Sequence, residues 1–197
     1  MERKRCGQAD GSGCALGIGL SAVTLSSATA EEGAPSPAPE AHDGQHDFDF
    51  NLGVWKTHIR RLKEPFTVSP EYVEMHGTVT VRKVWNGRAQ LEEIEVDAPT
   101  GHWEGLTLFL YDPKAHQWSQ TFINSAAGTF SGGLIGEFKE GRGELYAQET
   151  LGGRSVLIRG VWSDIKPDSH HFEVAYSDDG GTTWVSSFIA DLTRTQS

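Results

Sequence analysis

Cysteine is nearly absent from this chain. Of its 197 residues only Cys6 and Cys14 carry a thiol, and both lie close to the N-terminus. If that stretch is removed on export, the remaining chain has no disulfide, no thiol nucleophile and no thiolate-bound metal. Stability then rests on burial and hydrogen bonding, which suffice at this size. Basic residues are also in short supply: 17 Lys and Arg stand against 27 Asp and Glu, for a formal net charge of −10. A phosphate-binding face needs clustered Lys and Arg, so this balance argues against nucleic acid as a partner. It also disfavours attachment to anionic membrane. The apolar run near the N-terminus, Ala15 to Leu25, is diluted by Gly17, Gly19 and Ser21 and is too short to span a bilayer. No stable membrane insertion is expected. No window holds a 3.6-residue period, so no long helix is expected. No Gly-x-Ser-x-Gly elbow is present, and no catalytic residue, metal ligand or cofactor is assigned.

The first residues have the order of an export signal. Glu2-Arg3-Lys4-Arg5 supplies a mostly positive start, the apolar run follows, and Ala28-Thr29-Ala30 is a small-x-small cleavage site. Residues 1–30 are expected to be a signal peptide, cleaved near Ala30, with delivery to the periplasm or the outside. Cys14 follows Gly11-Ser12-Gly13 rather than a Leu-type lipoprotein box, so no lipid anchor is expected. Residues 31–45, with Pro35, Pro37 and Pro39, form a flexible linker that cannot build a core. One domain should occupy 46–197.

Within that domain apolar and polar residues alternate. In the stretch 73–81 the odd positions are apolar or Gly and the even ones polar, the pattern of a half-buried strand. Asn86-Gly87 signals a hairpin. Further strands are expected over 91–96, 106–111, 117–124, 134–139, 144–150, 156–163, 172–177 and 184–192, separated by short Gly-, Pro- and Asp-rich turns. Phe48, Phe50 and Leu52 precede them as a short turn or plug. Short turns imply nearest-neighbour pairing, and about ten twisted strands tend to close and so remove their edges. The expected fold is all-β: an antiparallel up-and-down barrel of about eight to ten strands, with room for side chains or one small ligand.

Gly53-Val54-Trp55 opens this series and Arg194 ends it. Here the chain resembles the lipocalin-like, or calycin, barrels, in which a Gly-x-Trp begins the first strand and a basic residue from the last strand lies against the Trp ring. Guanidinium over indole is a favourable cation–π pair that can seal a barrel base. Gly53, Trp55 and Arg194 are therefore assigned a structural role. A wider resemblance rests on His46-Asp47-Phe48-Asp49-Phe50, Leu106-Thr107-Leu108, Tyr111-Asp112-Pro113, Gln117-Trp118-Ser119, Gly141-Arg142-Gly143-Glu144, Trp162-Ser163-Asp164-Ile165 and the Asp-Gly-Gly-Thr-Thr-Trp turn. These segments look like a bacterial domain-of-unknown-function family, predicted to be lipocalin-like and often exported. That resemblance implies architecture and no chemistry. The run Ser177 to Trp184 also fits the Asp-box of sialidase propellers, but it occurs once, whereas a propeller needs repeated blades. Turn mechanics explain it: Asp179 accepts turn N–H groups, Gly181 permits positive φ, and Trp184 packs beneath the hairpin.

His42 and His46 have the His-x3-His spacing of a metal pair on a helix, but Gly44 and the adjacent Pro-rich linker argue against a rigid helix there; His58, His76, His102, His116, His170 and His171 show no fixed spacing, and all are expected to be solvated or capping. Six Trp, nine Phe and four Tyr should mostly fill the core or wall a pocket. Polar residues on strand faces are the sharper pointers. Glu93, Trp118, Gln120, Phe122, Glu149 and Arg159 are the candidate ligand-binding residues, because a carboxylate facing inward must find a partner or a raised pKa. A slip of one residue would exchange the two faces. Three readings follow: a container for a small apolar or aromatic ligand; an enzyme using Glu93 or Glu149 with Arg159 across one pocket; and a structural or protein-interaction module with a filled interior, its protein partner unknown.

Overall fold

The computed structural model describes residues 43–195. The expected signal peptide and nearly all of the linker lie outside the described residues. The strands are β1 (Gly53–Leu62), β2 (Tyr72–Val84), β3 (Ala89–Ala98), β4 (Gly101–Asp112), β5 (Gln117–Asn124), β6 (Thr129–Phe130), β7 (Leu134–Lys139), β8 (Arg142–Leu151), β9 (Arg154–Ser163), β10 (Ser169–Ser177) and β11 (Val185–Arg194). Their order around the sheet is β1-β2-β3-β4-β5-β7-β8-β9-β10-β11, and β1 pairs with β11, so ten strands close into a ring. Every pairing is antiparallel; the two-residue β6 hangs on β5 as a side hairpin. The alternation in the sequence produces this directly. On β3, Gln90, Glu92 and Val96 are buried between exposed Glu93, Glu95 and Asp97, so one face lines the interior and the other meets water.

One end of the barrel is sealed. Phe48 is fully buried and its ring lies within 6 Å of those of Phe50, Phe109, Trp118, Phe138 and Trp162. The 3₁₀ turn Asp49–Asn51 follows it as the expected plug. Trp55 is buried opposite Arg194 in the β1–β11 register, and the guanidinium carbon sits 3.9 Å from the indole centroid. The same guanidinium donates to Leu52 O (2.8 Å), Phe50 O (3.1 Å) and Pro167 O (2.8 Å), which ties the turn, the first strand and the β9–β10 loop together. Trp55 Nε1 donates to Asn51 O at 2.8 Å. Gly53 is required here: its φ is +117°, and a Cβ would meet Arg194 Nη1 at 2.6 Å. The residues just before the plug are tied to the base as well: Trp118 Nε1 donates to Gly44 O (2.9 Å) and the Tyr111 hydroxyl donates to Asp43 (2.9 Å).

At the other end the Asp-box turn has the expected mechanics. Asp179 accepts backbone N–H groups from Thr182 and Thr183, which holds its carboxyl down at about 2, and Trp184 Nε1 closes onto Gly181 O at 3.0 Å. Of the tryptophans, Trp55, Trp118 and Trp162 are core, whereas Trp85 stands 61% exposed on the β2–β3 turn. The imidazoles are more ordered than their sequence spacing suggests. His171, Asp191, His58, His76, Asp97 and His102 face one another across successive strands from β10 to β4, forming a row on the outer surface. His171 and His102 each reach an Asp in the row at 2.7 and 3.0 Å, and the rings of His58 and His76 stack at 4.7 Å.

Arg194→Ala removes the cation–π contact and three carbonyl partners together. It is expected to destabilise the fold by about 2–4 kcal/mol, read as a lower urea midpoint in Trp fluorescence. An unchanged midpoint would show that the base is held without this residue.

Candidate functional site

Above the sealed base the ten strands enclose a cavity of about 430 Å³. Ile59, Val79, Leu134, Ile158, Phe172 and Phe188 make most of its wall apolar. Trp103 and Phe122, with ring centroids 6.4 Å apart and at right angles, stand near the mouth, as do Leu62, Lys63 and Pro65 from the β1–β2 connection. Across that mouth the connection is anchored by Phe66, whose ring lies 5.7 Å from the Arg154 guanidinium.

The inner end is polar. Glu92, on β3, faces into the cavity and is 5% exposed. Its Oε1 accepts from the Thr107 hydroxyl on β4 (2.8 Å) and its Oε2 from Asn51 Nδ2 in the plug (3.3 Å). Burial pushes its carboxyl above the ordinary value, against the lowering effect of those two bonds. Gln120 Oε1 accepts from Trp162 Nε1 at 3.1 Å, and both residues line the cavity. Thr57 also lines it, and its buried hydroxyl has no hydrogen-bond partner among the described residues. Below this layer His170 is 3% exposed, edge-on to Trp55 at 4.4 Å and to Phe50 at 5.1 Å. Both of its ring nitrogens lack a partner among the described residues. Burial first, then the nearby Arg194 charge, drives its pKa from 6.5 down to about 4.

The candidate residues divide between the two faces. Gln120, Phe122 and Glu149 line the cavity, and Glu149 Oε1 also accepts the Gly132 N–H at 3.0 Å. Trp118 faces inward but lies in the sealed base against Phe48 at 5.1 Å, beneath the cavity rather than in its wall. Glu93 faces solvent, since β3 turns its even-numbered residues inward. The interior carboxylate of that strand is its neighbour Glu92. Arg159 lies on the outer face of β9, between inward Ile158 and buried Gly160, with its guanidinium 4.5 Å from the Trp184 ring. Arg159 and Glu149 therefore do not meet across one pocket, and the carboxylate–arginine pair of the enzyme reading is not assembled. Glu92, Thr57 and Thr107 are the site residues that strand patterning left unmarked. A signal was present for Glu92: Gln90, Glu92, Ile94 and Val96 share a face with two apolar members near the turn.

The solved structure of an S-type phycobiliprotein lyase, CPES from Guillardia theta, superimposes with a TM-score of 0.54 at 9% identity, covering 79% of this chain and 94% of that one. At such identity the likeness is one of fold. EF1p2_mFAP2b bound to DFHBI has a TM-score of 0.44 at 8% identity, over 77% of this chain and 99% of that one. A de novo designed fluorescence-activating β-barrel has a TM-score of 0.42 at 13% identity, over 79% of this chain and 100% of that one. No family model matches the chain, and no curated protein matches it. The fold is a closed antiparallel up-and-down barrel of ten strands.

His170 makes stability depend on pH. Its folded-state pKa of about 4 lies below the unfolded value near 6.5, so its contribution is complete above 6.5 and is lost as pH falls towards 4. Glu92 works in the opposite direction: with its pKa raised, its contribution is greatest in acid and is lost as pH rises. Comparison with His170→Phe isolates the first effect. Between pH 7 and pH 4 the parent should lose about 2–3 kcal/mol relative to the variant, measured by urea unfolding; parallel pH profiles would refute the assignment.

Proposed function

We propose that this protein is an exported barrel that holds one small, mostly apolar or aromatic molecule in its interior. The observation that carries the reading is the cavity of about 430 Å³, within the size range of small-molecule sites and walled as they usually are, by apolar and aromatic side chains with a few placed polar groups. Trp103, Phe122, Trp162, Phe172, Tyr176 and Phe188 supply aromatic surface. Glu92, Gln120 and Thr57 supply hydrogen-bonding groups at the inner end. A module with an interior filled by its own side chains accounts less well for this space. Export rests on the charged start, apolar run and small-x-small site of the N-terminal residues.

Native mass spectrometry of the protein purified from its own host tests the reading directly: a co-purifying small mass is expected. An independent test uses Nile red and Val174→Trp. Val174 lines the cavity from β10 and is only partly buried, so a larger ring there fills ligand space at modest structural cost. The variant should weaken Nile red binding by at least about tenfold, with the unfolding midpoint near that of the parent. Full dye affinity in the variant would place binding elsewhere.

A further inference from the structure

Four charged side chains line the cavity: Arg61, Lys63, Glu92 and Glu149. Three of them have partners. Glu92 is bonded to Thr107 and Asn51 at the inner end. Glu149 is bonded to the Gly132 N–H. Lys63 meets Glu71 at 2.7 Å. Arg61 differs. It follows Trp55, Thr57 and Ile59 on the inward-facing parity of β1, reaches the mouth, and has no carboxylate or hydrogen-bond partner among the described residues. Its guanidinium offers five N–H donors in a planar fork that matches a carboxylate.

The two ends of the cavity thus have opposite character. The inner end presents a buried carboxyl group, and an anionic group brought beside it would meet either a like charge or an acid already bonded to two donors, away from water. The mouth presents an unpaired cation at the edge of solvent. Between them most of the wall is apolar; Glu149, near the β8–β9 turn, is the one further carboxylate of the lining and is engaged by the Gly132 N–H. We propose that the cavity takes a monocarboxylate amphiphile with its apolar end innermost, the carboxylate being held at the mouth by Arg61. This rests on the reading that the interior holds a small molecule, and it adds the class and direction of that molecule. The reverse pose, head group inward, is disfavoured by Glu92. An amine of the same length lacks the Arg61 contact and places a second cation beside it.

The test is displacement of Nile red from the full chain by decanoate, decanol and decylamine, in the parent, Arg61→Gln and Arg61→Lys. Decanoate is expected to bind tightest to the parent. Arg61→Gln should weaken decanoate roughly tenfold and leave decanol within about twofold, and Arg61→Lys should recover part of the loss. Arg61 is exposed, so its replacement leaves the core intact. Equal decanoate affinity in parent and Arg61→Gln, or a decylamine that outcompetes decanoate in the parent, overturns the proposed direction and class while the container reading stands. Failure of Nile red and decanol to bind any form removes both readings.

Discussion

The guanidinium of Arg194 organises the base from which the barrel is built. A backbone turn inserted into the end of a closed sheet carries carbonyl groups that lose water and need donors. Arg194 supplies them to Phe50 and Leu52, and also reaches Pro167 from the loop before β10. It covers the face of Trp55 at the same time, so a single side chain satisfies the turn, caps the aromatic floor and joins the first strand to the last. The bare Cα of Gly53 makes room for it. Phe48 can then sit at the centre of five aromatic neighbours.

The cavity follows from where this packing stops. Ten strands enclose more width than one layer of side chains can fill, and the plug occupies only the base. Above it the small or medium residues Thr57, Val79, Leu134 and Ala190 point inward, too short to meet at the axis. The polar layer between plug and cavity is held from both sides. Asn51 belongs to the plug and Thr107 to the wall, and both converge on Glu92. That carboxyl is thereby positioned by the same turn that Arg194 secures, so the sealed base and the chemistry of the inner end are mechanically one structure.

Much of the architecture was legible before any coordinates. Strand positions such as 117–124 and 134–139 coincide with β5 and β7 because alternation and Gly, Pro and Asp turns act locally. The two-ended signature of Gly53, Trp55 and Arg194 announced closure. Which face points inward was much less legible, because pleat parity is set by pairing with distant strands. Glu92 and Glu93 are chemically identical in sequence and opposite in the fold. Arg159 could be read inward from its neighbours Ile158 and Gly160, yet the outer aromatic Trp184, from a distant part of the chain, is what it packs on. Arg61 was hidden beside Arg60, and the imidazole row of the outer surface exists only across strands, so no linear spacing could reveal it.

The tether points established at the base have a practical bearing. Asp43 and Gly44 are stitched to Tyr111 and Trp118, and at the other terminus Thr195 donates its N–H to Val54 O at 2.9 Å. Asp43 and Thr195, the first and last described residues, therefore lie at the same pole, the one opposite the opening. A handle joined directly at Asp43 or Thr195, whether for immobilisation on a sensor surface or for display, leaves the entrance unobstructed and facing the bulk solution.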